Sequence, residues 1–421
     1  MFFKLTSKTF LRTINSPKSR FLGRKTLGIR NWSTFTSDDT SLTIHSLKAS
    51  FPYIWLRDSC QTPECIHPTT LQKLHRTSDI PLDIRPVHDG VQLTDDGIRV
   101  VWTDGHESFF HASFLKRHSS PGNLTSFHKD VEQKPWDNSS ISKARHLFVP
   151  YESLKTSAGL LTAITQVSQA GLMFVTGVPN KETSNETCEL RTLAQIFGEI
   201  RPTFYGELWD VMNVQNSHNI AYTNLDLGLH MDLLYFEHPP RYQILHCLRN
   251  RVKGGTSIFV DALHAASVLR DTHPADFEVL TKTPVAFHYI NDGHHLHREH
   301  PTIELSRPTA TSPRGSISHV NYSPPFQAPL PLSTPPEFYP ALRRFAAMLN
   351  APENTYKYTL REGDAVFFDN RRVLHARTAF SDIEDQVKEG ETNRWLKGCY
   401  LEADAMLDRG RVIRTRSEST S

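Results

Sequence analysis

Gly363-Asp364-Ala365-Val366-Phe367-Phe368-Asp369-Asn370 reads as a turn followed by a short, buried strand. Arg371-Arg372-Val373-Leu374-His375-Ala376-Arg377 then brings a histidine just beyond it. Similar segments lie on both sides. Residues 171–176 have the continuous apolar character of a buried strand, and Arg394-Trp395-Leu396-Lys397-Gly398-Cys399-Tyr400-Leu401 reads as a final one. Helical spacing is confined to 154–169, 184–197 and 340–349. Many short strands with few flanking helices predict a mainly β protein, a sandwich or jelly roll, and argue against alternating βαβ units. Two breaks interrupt this body, the histidine-rich 288–300 and the proline-rich 324–340, both read as too irregular for strands.

Outward from this body, residues 41–118 carry short alternating stretches separated by Asp, Gly and Pro turns, predicting a small β-rich domain with no segment of helical length. Residues 119–146 are polar and read as a linker, and the larger domain spans 147–411. Residues 1–33 interleave basic residues with Phe2, Phe3, Leu5, Phe10 and Leu11, the composition of a mitochondrial transit peptide, which predicts a matrix location. Eight Lys and Arg and no acid precede Asp38, so the net charge of +2 conceals a mildly acidic body without a nucleic-acid footprint. Apolar runs of five to seven residues fall far short of the ~20 needed to span a bilayer. Cysteines 60, 65, 188, 247 and 399 are too few and too scattered for a disulfide framework.

Chemistry concentrates at His230-Met231-Asp232. On a strand, side chains at i and i+2 share a face, so an imidazole and a carboxylate would point the same way between Leu227-Gly228-Leu229 and Leu233-Leu234-Tyr235-Phe236. With a distant histidine they would form the two-His-one-carboxylate site that leaves positions open on Fe(II), and His375 is the natural third ligand. A second His-x-Asp triplet, His128-Lys129-Asp130, falls in the polar linker, where a ligand could not be held rigid. His297 and His300 lie in the irregular break and are set aside as metal ligands. Arg394 opens the last strand, where a guanidinium could grip a carboxylate through two parallel hydrogen bonds and so asks for a dicarboxylate co-substrate.

The order of these parts, with "GELWDVMNV", "HMDLLYFEHPP", "QILHCLRNRVKGGTSIFVD", "FFDNRRVLHAR" and "RWLKGCYLEAD", resembles the Fe(II)/2-oxoglutarate dioxygenases of the taurine-dioxygenase type. The nearest branch is the one holding γ-butyrobetaine and trimethyllysine dioxygenases. The resemblance implies a double-stranded β-helix core and iron on His230, Asp232 and His375. It places 2-oxoglutarate on Arg394 with Ser257 and Leu245 beside it, and implies ascorbate as reductant. It also implies a trimethylammonium substrate with O2, and a homodimer. A quaternary ammonium cannot donate a hydrogen bond and is held against ring faces; the branch's cage positions fall on Tyr205, Trp209, Tyr222 and Tyr400, with Asn219 and Asn321 toward the substrate's other end.

In the small domain the branch keeps structural zinc on three Cys and one His. Here Cys60, Cys65 and His106 match, Thr62 stands in place of the middle Cys, and His67 is the nearest candidate for a fourth ligand. The expected activity is hydroxylation of γ-butyrobetaine to carnitine. Trimethyllysine, another betaine or a secondary metabolite stay open as substrates, as does a non-catalytic binding protein with the same cage.

Overall fold

The computed structural model describes residues 34–213, 223–308, 314–383 and 392–420; the leader, Asn219 and Tyr222 lie outside them. The chain divides into two compact units between Phe127 and His128.

The first unit holds two three-stranded antiparallel sheets, Phe35–Ser37, Ser41–Ile44 and Ala49–Pro52, then Pro86–Thr94, Gly97–Trp102 and Glu107–His111. Alternation puts Ile98, Val100 and Trp102 inside with Phe110 and Leu115. The Trp102 indole is not left unpaired, donating to Ser108 Oγ at 2.9 Å. Contrary to expectation, short helices Tyr53–Asp58 and Ala112–His118 also form.

In the second unit ten strands build a two-sheet core: β1 (Phe148–Pro150), β2 (Leu172–Thr176), β3 (Trp209–Met212), β4 (Leu227–His230), β5 (Tyr242–Asn250), β6 (Ser257–Asp261), β7 (Thr355–Tyr358), β8 (Ala365–Asp369), β9 (Val373–Arg377) and β10 (Arg394–Leu401). One sheet runs β1-β2-β8-β5-β10-β3 and the other β4-β9-β6-β7, a jelly roll. Every residue of β8 is buried because both of its faces are covered. Val366 and Phe368 join Leu172, Phe174 and Phe259 between the sheets, while Ala365 and Phe367 face helices Ser157–Ala170 and Glu189–Phe197 with Met173 and Val175. The Phe259 ring meets Phe174 at 5.6 Å and Phe368 at 5.9 Å, joining the two layers.

Two expectations are corrected. The histidine-rich stretch is a regular hairpin, Pro284–Asn291 paired with His294–Pro301. Val285, Phe287 and Tyr289 point inward and most histidines outward, and Asp292 (φ 49°) and Gly293 (φ 78°) make the left-handed turn that matches strand twist. Residues 119–146 are also folded over much of their length. Helices occupy Pro121–His128 and Asn138–Ser142, and buried Trp136 donates from its indole to Ala170 O at 2.6 Å.

Candidate active site

Antiparallel pairing of β4 with β9 sets His230 directly opposite His375, their ring centroids 4.1 Å apart. β4 ends at His230, so Asp232 does not share a strand face with it; it sits in the turn that follows, where Leu233 takes φ 61°. The turn returns the carboxylate to the histidines. His230 Nε2 lies 3.5 Å from Asp232 Oδ1, His375 Nε2 lies 3.9 Å from Oδ2, and ligand atoms of all three fall within 4.8 Å of one another.

The environment prepares these atoms for a cation. His230 Nδ1 donates to Gly228 O at 2.8 Å, which leaves Nε2 as the lone-pair nitrogen. Burial opposes ionisation of Asp232, but His230, His375 and the Tyr400 hydroxyl outweigh it and hold the carboxyl well below its usual range. Burial, with His230 beside it, lowers His375 to about 3, so the ring is neutral and able to ligate. Tyr400 donates to Asp232 Oδ2 at 3.0 Å.

A cavity opens on these groups. Trp209, Gln243, Leu245, Ser257, Arg377 and Arg394 line it along with the two histidines and Asp232. Arg394 is 4% exposed, its Nε has no partner among the described residues, and burial with Arg377 nearby lowers the guanidinium to about 10. A buried cation without a carboxylate is costly unless a ligand supplies one. Gly255 (φ 68°) makes room for it: a Cβ there would stand 3.0 Å from Arg394 Nε.

The other expected residues do not line this cavity. Tyr400 packs on Trp209 at 5.2 Å with its hydroxyl committed to Asp232. Tyr205 is not among the lining residues; it joins Phe204 and Tyr289 in an aromatic cluster, its hydroxyl 3.4 Å from that of Tyr235. Asn321 is buried and donates to Pro301 O at 2.8 Å. His297 is exposed and His300 buried, on opposite faces of their strand, so they cannot pair on one ion.

Sequence reasoning missed Gln243 and Asn370. Gln243 is 1% exposed on the cavity face of β5, and its sequence signal is a polar residue, like His246, within the mainly apolar run Tyr242–Cys247. In the first unit, Cys60 Sγ and Cys65 Sγ approach His106 Nε2 at 3.2 and 3.5 Å, and Thr62 Oγ1 lies 3.3 Å from Cys60 Sγ. His67 is not part of this cluster, its Nδ1 accepting from the backbone N–H groups of Thr69 and Thr70.

Two histidines and one carboxylate converging beside a buried arginine with no carboxylate partner among the described residues, on a jelly roll, define a non-haem iron oxygenase. The comparisons agree on the class. The chain belongs to the taurine catabolism dioxygenase TauD, TfdA family, whose model matches residues 141–400, and residues 34–116 match the gamma-butyrobetaine hydroxylase-like N-terminal model. It is 56% identical over 389 residues to Dioxygenase str8 of Strobilurus tenacellus, covering 92% of this chain and 91% of that protein. It is 32% identical over 376 residues to the gamma-butyrobetaine dioxygenase of Pseudomonas sp. (strain AK-1), covering 86% and 90%. To the mitochondrial trimethyllysine dioxygenase of Homo sapiens it is 29% identical over 369 residues, covering 86% and 82%.

Proposed function

We propose that this dioxygenase hydroxylates a trimethylammonium compound, with γ-butyrobetaine as the favoured substrate and trimethyllysine as the second reading. The observation that carries the catalytic part is the cavity shared by His230, Asp232, His375 and Arg394, whose Nε has no partner among the described residues. His230, Asp232 and His375 would hold Fe(II), which when bound supplies O2 activation coupled to decarboxylation of 2-oxoglutarate to succinate. Arg394 would bind the distal carboxylate, with Ser257 offering a hydroxyl and Leu245 an apolar wall. Trp209, packed against Tyr400, presents the ring surface on which a quaternary ammonium would rest, and so orients the carbon to be hydroxylated. The substrate reading is supported by that wall and by likeness to relatives named for γ-butyrobetaine and trimethyllysine. The second of these also supports import into mitochondria.

The Cys60, Cys65 and His106 cluster would take Zn(II) as a structural ion, with Thr62 beside the remaining position. Metal analysis of the purified chain tests this apart from catalysis: zinc at one equivalent, lost in Cys60→Ser, is the expected result.

The deciding experiment supplies Fe(II), ascorbate and 2-oxoglutarate, offers γ-butyrobetaine or trimethyllysine, and reads succinate and product mass. A hydroxylated product from γ-butyrobetaine is expected. Hydroxylation of trimethyllysine alone would establish the second reading. Succinate without either product would keep the dioxygenase and overturn the substrate assignment.

A further inference from the structure

Strand β10 turns Arg394, Leu396, Gly398 and Tyr400 toward the site, while Cys399 and Leu401 pack on the opposite side of the sheet. In this row Gly398 is a gap. On one side stands the buried guanidinium of Arg394, on the other Tyr400 with its hydrogen bond to Asp232. The neighbouring edge strand β3 fills it, because Gly398 pairs in register with Trp209 and the indole lies back across the glycine. A Cβ built on Gly398 would stand 2.3 to 2.6 Å from three atoms of the six-membered part of that ring. No side chain fits there unless the indole moves.

Movement of β3 as a whole is restrained from the other face of the sheet. Lys397, 1% exposed, reaches Asp210 Oδ1 at 2.8 Å and Asn185 Oδ1 at 2.7 Å, and the Trp395 indole donates to the same Asp210 oxygen at 2.7 Å. With the backbone tied there, added bulk at 398 must be absorbed by rotation of the Trp209 ring. An aromatic ring laid over a cross-strand glycine is a favourable sheet pair, and here the same ring is a wall of the catalytic cavity.

We propose that Gly398 is a positioning residue that sets substrate specificity: by lacking a side chain it lets Trp209 lie flat between the Arg394 and Asp232 ends of the site. The inference rests on the reading of Trp209 as a substrate contact. Its consequence is that the residue at 398 tunes the shape of the substrate wall without touching the substrate and without altering the Arg394 pocket.

The test is a double-mutant cycle of Gly398→Ala and Trp209→Phe, assayed with γ-butyrobetaine or trimethyllysine, whichever is turned over. We expect Gly398→Ala to raise the substrate KM about tenfold or more while the 2-oxoglutarate KM stays within about twofold, and expect the effect to shrink below about twofold when residue 209 is Phe. Equal losses in both backgrounds, or a shift in the 2-oxoglutarate KM in place of the substrate KM, would overturn the inference. If neither compound is turned over, the substrate assignment fails separately and melting temperatures decide this one. A fall of about 3 °C or more in Gly398→Ala that disappears in the double variant supports the packing, and an equal fall in both overturns it. Should Gly398→Ala fail to fold, recovery of folding in the double variant supports the inference and its failure there overturns it.

Discussion

Asn370 and Asp232 hold each other by a two-way hydrogen bond: Asp232 N–H donates to Asn370 Oδ1 at 2.8 Å, and Asn370 Nδ2 donates back to Asp232 O at 3.0 Å. Asn370 is fully buried and also reaches Pro240 O at 3.2 Å, so one side chain ties the turn carrying the carboxylate to the β8–β9 turn that precedes His375. Replacing it with alanine leaves a backbone N–H and carbonyl unpaired at the point where Asp232 must be aimed. We expect Asn370→Ala to weaken Fe(II) binding about 10- to 100-fold, as loss of an outer support does at other metal sites. Titration with Co(II) as a spectroscopic substitute checks this, and unchanged affinity would contradict the positioning role.

Tyr400 separates two roles that its sequence position leaves merged. Its ring packs on Trp209, and its hydroxyl binds the carboxylate that would ligate iron. Tyr400→Phe keeps the ring and deletes only the hydroxyl. If orienting Asp232 is the larger role, metal affinity falls about tenfold with the substrate KM little changed. A rise in substrate KM at constant metal affinity would assign the residue to the substrate wall.

Arg394 trades stability for binding. Its guanidinium is buried, and no carboxylate pairs with it among the described residues, where its charge is left uncompensated. We expect Arg394→Met to leave the melting temperature of the ligand-free protein unchanged or higher, while raising the KM for 2-oxoglutarate about a hundredfold or more. Differential scanning calorimetry with and without 2-oxoglutarate reads both effects. A variant that melts well below the parent would show that Arg394 has a structural partner after all.

How far the sequence could be read depended on whether a feature was local. His230, His375 and Arg394 stand out because few residue types do their chemistry, and the structure brings them to one cavity with Ser257, Leu245 and Trp209. Strand alternation misled for Asp232. What places it is a side chain 138 positions away, and no local periodicity reports that. The 284–301 hairpin was concealed by its composition: much of its outward face is histidine, so a regularly paired hairpin read as an irregular break, although Asp292-Gly293 marked the turn. Gly398 was visible as a glycine within an apolar strand, but the ring that explains it arrives from a strand nearly two hundred residues earlier.

His319 supplies a pH dependence away from the iron ligands. Burial, with Arg371, Arg241 and His300 nearby, lowers it to about 3; Arg241 Nη1 lies 3.0 Å from its Nε2, and a Glu304 carboxylate oxygen lies 3.9 Å from Nδ1. In the unfolded chain the same ring titrates near the ordinary value of about 6.5. Between these values the unfolded state binds a proton that the folded state refuses, so stability is complete above about pH 6.5 and declines toward pH 3. One such group contributes a slope of about 1.4 kcal/mol per pH unit across that window. Gln at this position can still accept from Arg241 and cannot titrate. Urea unfolding of His319→Gln at pH 7, 5.5 and 4.5 should therefore match the parent at the first pH and fall less steeply at the other two, by about that slope. Parallel profiles would mean that the acid sensitivity lies in other buried histidines such as His246, His300 and His375, whose depressed values act in the same direction.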